Sequence, residues 1–212
     1  MDKNDYLAAM GIQQWQQKNK VSTQAPVTIA DTDDAWPTLT NEAKSCVACT
    51  LSRTRTQVVF GAGNHQADLL IVGEAPGANE DKQGEPFVGR AGQLLNNMLK
   101  AIGLSRKDIY IANILKCRPP NNRDPKAEEV ALCTPFLARQ IALLQPRVIF
   151  ALGRIAAHFL LGSTASLASM RGREFRYRDI PLLVSYHPAY LLRSPREKRK
   201  SWQDLQCLRK YL

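Results

Sequence analysis

Four apolar runs punctuate the chain beyond residue 60: LLIVG at 69–73, IYIANIL at 109–115, RVIFALG at 147–153 and PLLVSY at 181–186. Each is short and apolar on successive rather than alternate positions, the pattern of a strand covered on both faces. Between them lie helical patterns. GQLLNNMLKAIG (92–103) spaces Leu94, Leu95, Met98, Leu99 and Ile102 along one face, with Gly103 suited to end the helix. Further helices run from about Pro125 to Leu144, from Ile155 to Leu161 and onward from about Pro195. Strands separated by helices imply a parallel sheet with helices on both sides. The expected fold is α/β, a three-layer α/β/α sandwich around a central, mainly parallel four-stranded sheet.

A chain of 212 residues is ample for one core of about 150 residues plus an appendage. Residues 6–16 (YLAAMGIQQWQ) form a short amphipathic pattern, and the polar stretch after them, with Pro26 and Pro37, has no sustained period and reads as a linker. The expectation is an N-terminal peptide and flexible linker over 1–40 and a single folded domain over 41–212. No charged start precedes an apolar run, and no stretch approaches the ~20 apolar residues of a membrane span. A soluble, cytoplasmic, monomeric protein is expected.

Residues 1–50 hold four basic and six acidic side chains, whereas the remaining 162 hold 25 basic and 13 acidic, so the positive charge belongs to the core. It gathers at Arg171, Arg173, Arg176 and Arg178, at Arg193, Arg196, Lys198, Arg199 and Lys200, and around Lys116, Arg118 and Arg123. Such clusters suit a phosphate backbone, and equally a solvated basic face.

Four of the five cysteines are set out as Cys46 and Cys49 in a CxxC, Cys117 in NILKCRPPNNRDP and Cys133 in EEVALCTPFL. Thiols drawn from three places in a chain without a secretion signal point to a metal or iron–sulfur site before disulfides, and their spacing admits zinc as well as a cluster. Cys207 is left as an ordinary thiol of the last helix.

In open α/β sheets ligands bind outside the carboxyl ends of the strands. Three loops lie there: GEAPGANEDKQGEPFVG after the first strand, Asn113 to Arg123 after the second, and HPAYLLRSP after the last. The first is glycine-rich yet lacks the GxxxxGK[ST] lysine and hydroxyl of a triphosphate cradle. Taken together and in order, GEAPG with PFVG, NILKCRPPNNR, the four-cysteine pattern and HPAY resemble the type-4 uracil-DNA glycosylases, bacterial and archaeal repair enzymes that carry a four-iron four-sulfur cluster. The resemblance covers roughly residues 40–212.

That resemblance implies a base-flipping hydrolase acting on uracil-containing DNA, with one [4Fe-4S] cluster on Cys46, Cys49, Cys117 and Cys133. Phe87 would stack on the extruded base, although an aromatic ring at that place is otherwise an ordinary core residue. Asn113 would pair with uracil O4 and N3–H, and Glu80 would crowd the C5 edge against thymine. His187 would donate to uracil O2 as charge develops there. Glu74, with the backbone of Gly73 and Ala75, would hold water, stabilise the sugar cation or simply shape the pocket; Ala75 stands where the best-known branch of the superfamily has a catalytic Asp. Leu191 would wedge into the base stack and Arg193 would hold phosphate, with Lys116, Arg118 and Arg123 near DNA.

No lysine is placed as a Schiff-base nucleophile, so a monofunctional enzyme is expected. NNRDPK has no histidine of the kind used by covalently trapping relatives. A non-catalytic iron–sulfur or zinc module that recognises uracil-containing DNA, and a glycosylase of wider base tolerance, are the alternatives. LAAMGIQQW is similar to the leading peptide of the clamp-loader psi subunit, which implies contact with the replication machinery through residues 1–20; a helix packed on its own core is the other reading.

Overall fold

The computed structural model describes residues 35–212, which form one compact unit. The peptide expected at 1–20 and its clamp-loader contact lie outside the described residues. The sheet has six strands in the order β1-β3-β2-β4-β6-β5: β1 (Ala62–Gly63), β2 (Leu69–Gly73), β3 (Ile109–Asn113), β4 (Val148–Leu152), β5 (Phe175–Tyr177) and β6 (Ile180–Ser185). The four interior strands are the four expected apolar runs, and they pair in parallel. The expectation of four strands is corrected by β1 and β5, which add antiparallel edges. Neither carries an apolar run. β1 is two residues long and needs glycine, because a Cβ on Gly63 (φ 126°) would sit 2.0 Å from the Ile109 carbonyl oxygen.

Alternate residues of the interior strands supply opposite faces. Leu70, Val72, Ala112, Ile149, Ala151 and Val184 pack against α4 (Ala127–Leu144), α5 (Arg154–Leu161) and α6 (Leu167–Met170). Leu69, Ile71, Ile109, Phe150 and Leu183 pack against α3 (Arg90–Ala101), α7 (Pro188–Arg193) and α8 (Lys198–Leu208). Every residue of β2, β3 and β4 is buried, and each such Leu, Ile or Val side chain contributes roughly 1.5–3 kcal/mol. This double burial is why the runs show no alternation. The remaining short helix, α2 (Ala78–Gln83), lies in the loop after β2.

The boundary expected at residue 40 falls inside a helix, α1 (Ala35–Ser45), which packs on α4. Leu39 and Ala43 are buried there beside Phe60, so the folded part starts earlier than the proline-bearing sequence implies. Among the described residues no helix is long and apolar enough to cross a membrane.

From β2 the chain crosses to β3 on one side, then returns to β4 on the other. Adjacent connections therefore diverge at the carboxyl end of β2 and leave a crevice where they part.

Candidate active site

The crevice is a cleft of about 420 Å³ that includes Glu74, Glu80, Phe87, Asn113, His187 and Arg193 in its lining. All three expected loops meet there. Gly73 lies opposite Asn113 in the ladder, and a Cβ on it would come within 2.4 Å of Asn113 Oδ1 and 2.9 Å of the Phe87 ring. Glycine at 73 is what lets the amide and the ring share the cleft floor.

Phe87 is held in a left-handed conformation (φ 55°) that costs a non-glycine residue energy. Two features maintain it. Arg106 donates from Nη1 to the Phe87 carbonyl at 3.1 Å and from Nη2 to the Pro86 carbonyl at 2.7 Å. Gly92 passes so close that a Cβ would lie 1.7 Å from the Phe87 carbonyl oxygen. Glu80 braces the same turn, its Oε1 accepting from the Val88 and Gly89 amides at 3.0 Å each.

His187 caps α7, and its Nδ1 accepts from the Ala189 amide at 3.1 Å. A nitrogen that accepts bears no proton, so the neutral ring carries its hydrogen on Nε2. The His187 pKa is lowered to about 4, first by burial and then by Arg193, with Glu80 opposing. The ring lies 5.4 Å from that of Phe87, centroid to centroid, with the planes 30° apart. A neutral N–H donor, an amide and an aromatic face thus border one space sized for a small heterocycle.

Glu74 is half-buried at the end of β2, and its pKa is raised, first by burial, then by Asp124, against a lowering effect of Arg154. Asp124 pairs with Arg154 at 2.8 Å on the rim.

The base-stack loop differs from expectation. Leu191 is 1% exposed and packs in the core cluster with Leu95, Leu99 and Leu205, so it is unavailable as a wedge. Helix α7 turns it inward and leaves Tyr190 exposed and Leu192 half-buried. Arg193 is exposed and borders the cleft. Lys116 is likewise no DNA contact: it is 2% exposed, with Nζ donating to the Asn113 carbonyl at 2.8 Å and to Gln140 Oε1 at 2.6 Å. Arg123 forms a double hydrogen bond with buried Glu129, which occupies its fork, while Arg118 Nε donates to Asn122 Oδ1 at 2.8 Å.

Over residues 60–206 the chain matches the family model of the Uracil DNA glycosylase superfamily. A type-4 uracil-DNA glycosylase of Archaeoglobus fulgidus is 43% identical over 176 residues, covering 79% of this chain and 88% of that protein. Another, of Thermotoga maritima, is 46% identical over 158 residues, covering 74% and 82%. A third, of Sulfurisphaera tokodaii, is 40% identical over 185 residues, covering 83% and 84%. The chain is a type-4 member of the uracil-DNA glycosylase superfamily.

The matched span takes in Glu74, Phe87, Asn113, His187, Cys117 and Cys133, while Cys46 and Cys49 precede it. All four of these cysteines of the glycosylase border one small, largely apolar cavity together with Arg55, Lys116, Leu132 and Phe136. Burial raises the Cys117 pKa and pushes that of Cys133 up to about 11, so as isolated thiols they would stay protonated. One cation nevertheless faces the cavity: Arg55 Nη1 donates to Cys117 Sγ at 3.1 Å, and among the described residues Arg55 pairs with no carboxylate. Among the described residues no three His, Cys, Asp or Glu side chains converge as ligands of one metal ion.

Reading the glycosylase from sequence missed Asn122, Asp124 and Arg106. Asn122 (φ 53°) and Asp124 join the cleft through a tight irregular turn with no periodic signal. Arg106 acts through carbonyl groups, which leave no trace in side-chain pattern.

Proposed function

We propose that this protein excises uracil from DNA by hydrolysing the bond between base and deoxyribose, leaving an abasic site for repair. The observation that carries the reading is the convergence of the Phe87 ring, the Asn113 amide and the neutral His187 in one cleft. Its family membership and its type-4 relatives support the same conclusion.

The base is extruded from the duplex and stacks on Phe87. Asn113 offers both an N–H donor and a carbonyl acceptor, which match uracil O4 and N3–H; cytosine presents the reverse pattern at both positions. As the glycosidic bond breaks, negative charge grows on the departing base. His187 Nε2–H is already aligned and needs no proton exchange to stabilise that charge, an effect worth about 3 kcal/mol for one prepositioned donor. Glu74 supplies the carboxylate that orients water or offsets positive charge on the sugar. Glu80, bound to the Val88 and Gly89 amides, fixes the turn that borders the C5 edge. Arg193 and the exposed basic residues Arg196, Lys198, Arg199 and Lys200 hold phosphate.

We assign Cys46, Cys49, Cys117 and Cys133 to a [4Fe-4S] cluster. Four thiols border one small, largely apolar cavity, and the Arg55 guanidinium that donates to Cys117 Sγ suits an anionic, thiolate-held occupant. The cluster would supply a structural clamp between the segment around Cys46 and the strand-end loop at Cys117, and hydrolysis calls for no redox step.

Release of free uracil from a labelled oligonucleotide, with Asn113→Ala and His187→Ala alongside, tests the function. Release by the wild type that is lost in both variants is expected. Tight, uracil-selective binding with no release would move the assignment to a binding module without turnover.

A further inference from the structure

We propose that Lys116 is a positioning residue that sets the base-reading Asn113 and ties it to the four-cysteine cavity. The inference rests on the reading of Asn113 as the uracil contact.

Asn113 is the last residue of β3, and the sheet leaves its carbonyl without a ladder partner. The Ile114 amide donates to Gly73 at 3.0 Å, so residue 114 faces β2 and residue 113 faces the opposite side. On that side β1 pairs only with Ile111 and Tyr110 and stops short. Asn113 is 2% exposed, and an unpartnered carbonyl at such a place is destabilising. Lys116 Nζ fills the vacancy at 2.8 Å.

The Lys116 head group is itself fixed. Gln140 donates from Nε2 to the Phe60 carbonyl at 3.0 Å, which turns its Oε1 toward Lys116 Nζ at 2.6 Å. The Phe60 ring lies 5.7 Å from Nζ. At its other end Lys116 is anchored by backbone: its amide donates to Cys133 Sγ at 3.2 Å, its carbonyl accepts from Val59 at 2.8 Å, and Cys117 follows it directly. One residue therefore spans from the thiol cavity to the carbonyl behind the base-reading amide. A bulk-filling role alone would not require a hydrogen-bond donor here, because an aliphatic side chain would fill the volume without desolvation cost.

The test is a binding cycle on the full chain. Duplexes carrying a 2′-fluorinated deoxyuridine, whose glycosidic bond resists cleavage because fluorine disfavours the sugar cation, are compared with undamaged duplexes. Lys116→Met is expected to reduce the preference for the lesion by about 10- to 100-fold, as for a buried acceptor left unsatisfied. Binding to undamaged DNA stays unchanged. In an Asn113→Ala background the same substitution should have no further effect, because Lys116 acts through Asn113. Hydrogen exchange of the 109–116 segment should rise in Lys116→Met while that of β4 stays at the wild-type level. Should Lys116→Met fail to fold, Gln140→Met loosens the same head group and must show a smaller loss in the same direction, again absent beside Asn113→Ala. Wild-type lesion preference in Lys116→Met, or losses that multiply with Asn113→Ala, would overturn the proposal. A wild type with no lesion preference would instead defeat the uracil reading itself.

Discussion

The Ala189 amide donates to His187 Nδ1 at 3.1 Å and thereby places the imidazole proton on Nε2. The first turn of α7 does the work of a tautomer switch: with Pro188 lacking an amide hydrogen, Ala189 is the first backbone donor after the histidine. The ring is a neutral donor by construction.

The pH dependence follows. The His187 pKa is depressed to about 4, so its neutral donor persists as pH falls through the ordinary histidine range near 6.5. The rate should show no loss from His187 between pH 7 and pH 5. The stability contribution has the corresponding sign: present above about 6.5 and lost as pH falls from there toward about 4. His187→Ala should lower the single-turnover rate by about 10²- to 10³-fold. A rate that falls in step with a titration near 6.5, and keeps doing so when Glu74 is replaced by Gln, would contradict this assignment.

Glu74 holds its proton to higher pH than an ordinary carboxylate. Burial raises its pKa, and Asp124 adds to the effect. Asp124→Asn removes that like charge and frees Arg154, and both changes favour the ionised form of Glu74. The acid limb of kcat/KM should therefore move to lower pH in Asp124→Asn and to higher pH in Arg154→Met. Opposite or absent shifts would place Glu74 outside the rate-determining ionisation.

Phe87 depends on its two neighbours for an unfavourable backbone. Gly92→Ala puts a Cβ 1.7 Å from the Phe87 carbonyl oxygen, and the turn must move. Arg106→Met deletes two hydrogen bonds to the same turn. Uracil release should fall by about 10-fold for Arg106→Met, the effect of about 1.4 kcal/mol. Lysine should restore little, since the two carbonyls are held by a planar fork. Equal activity in Arg106→Met would show that the turn holds itself.

The interior strands were legible because double burial writes an unbroken apolar run, and the cleft loops because each follows such a run. The edge strands were not, since Gly63 and the Phe175–Tyr177 segment are paired by backbone geometry with little side-chain signature. Charge misled at Lys116: a lysine among arginines reads as surface, and only the short β1 reveals the carbonyl it serves. Order within HPAYLLRSP misled at Leu191, because a one-residue rotation of α7 exchanges core for surface. Leu191→Ala should accordingly destabilise the fold by about 2–5 kcal/mol, read as a drop in Tm, while Leu192→Ala should spare Tm and weaken duplex binding. Reversal of the two would restore Leu191 as the wedge.

The cysteine cavity makes a prediction that separates its ligands from the remaining thiol. Cys117 and Cys133 are buried and reach the cavity from the loop after β3 and from α4, so replacing either by Ser should release iron and lower soluble yield. Cys207 packs beside the α3/α8 face and should tolerate Ser with iron content unchanged. Arg55→Met removes the donor to Cys117 Sγ and leaves the thiols in place, so the protein should still load iron but lose it faster to a chelator. Iron and sulfide analysis of the purified protein reads all three. Stoichiometric zinc without sulfide would replace the cluster by a single ion.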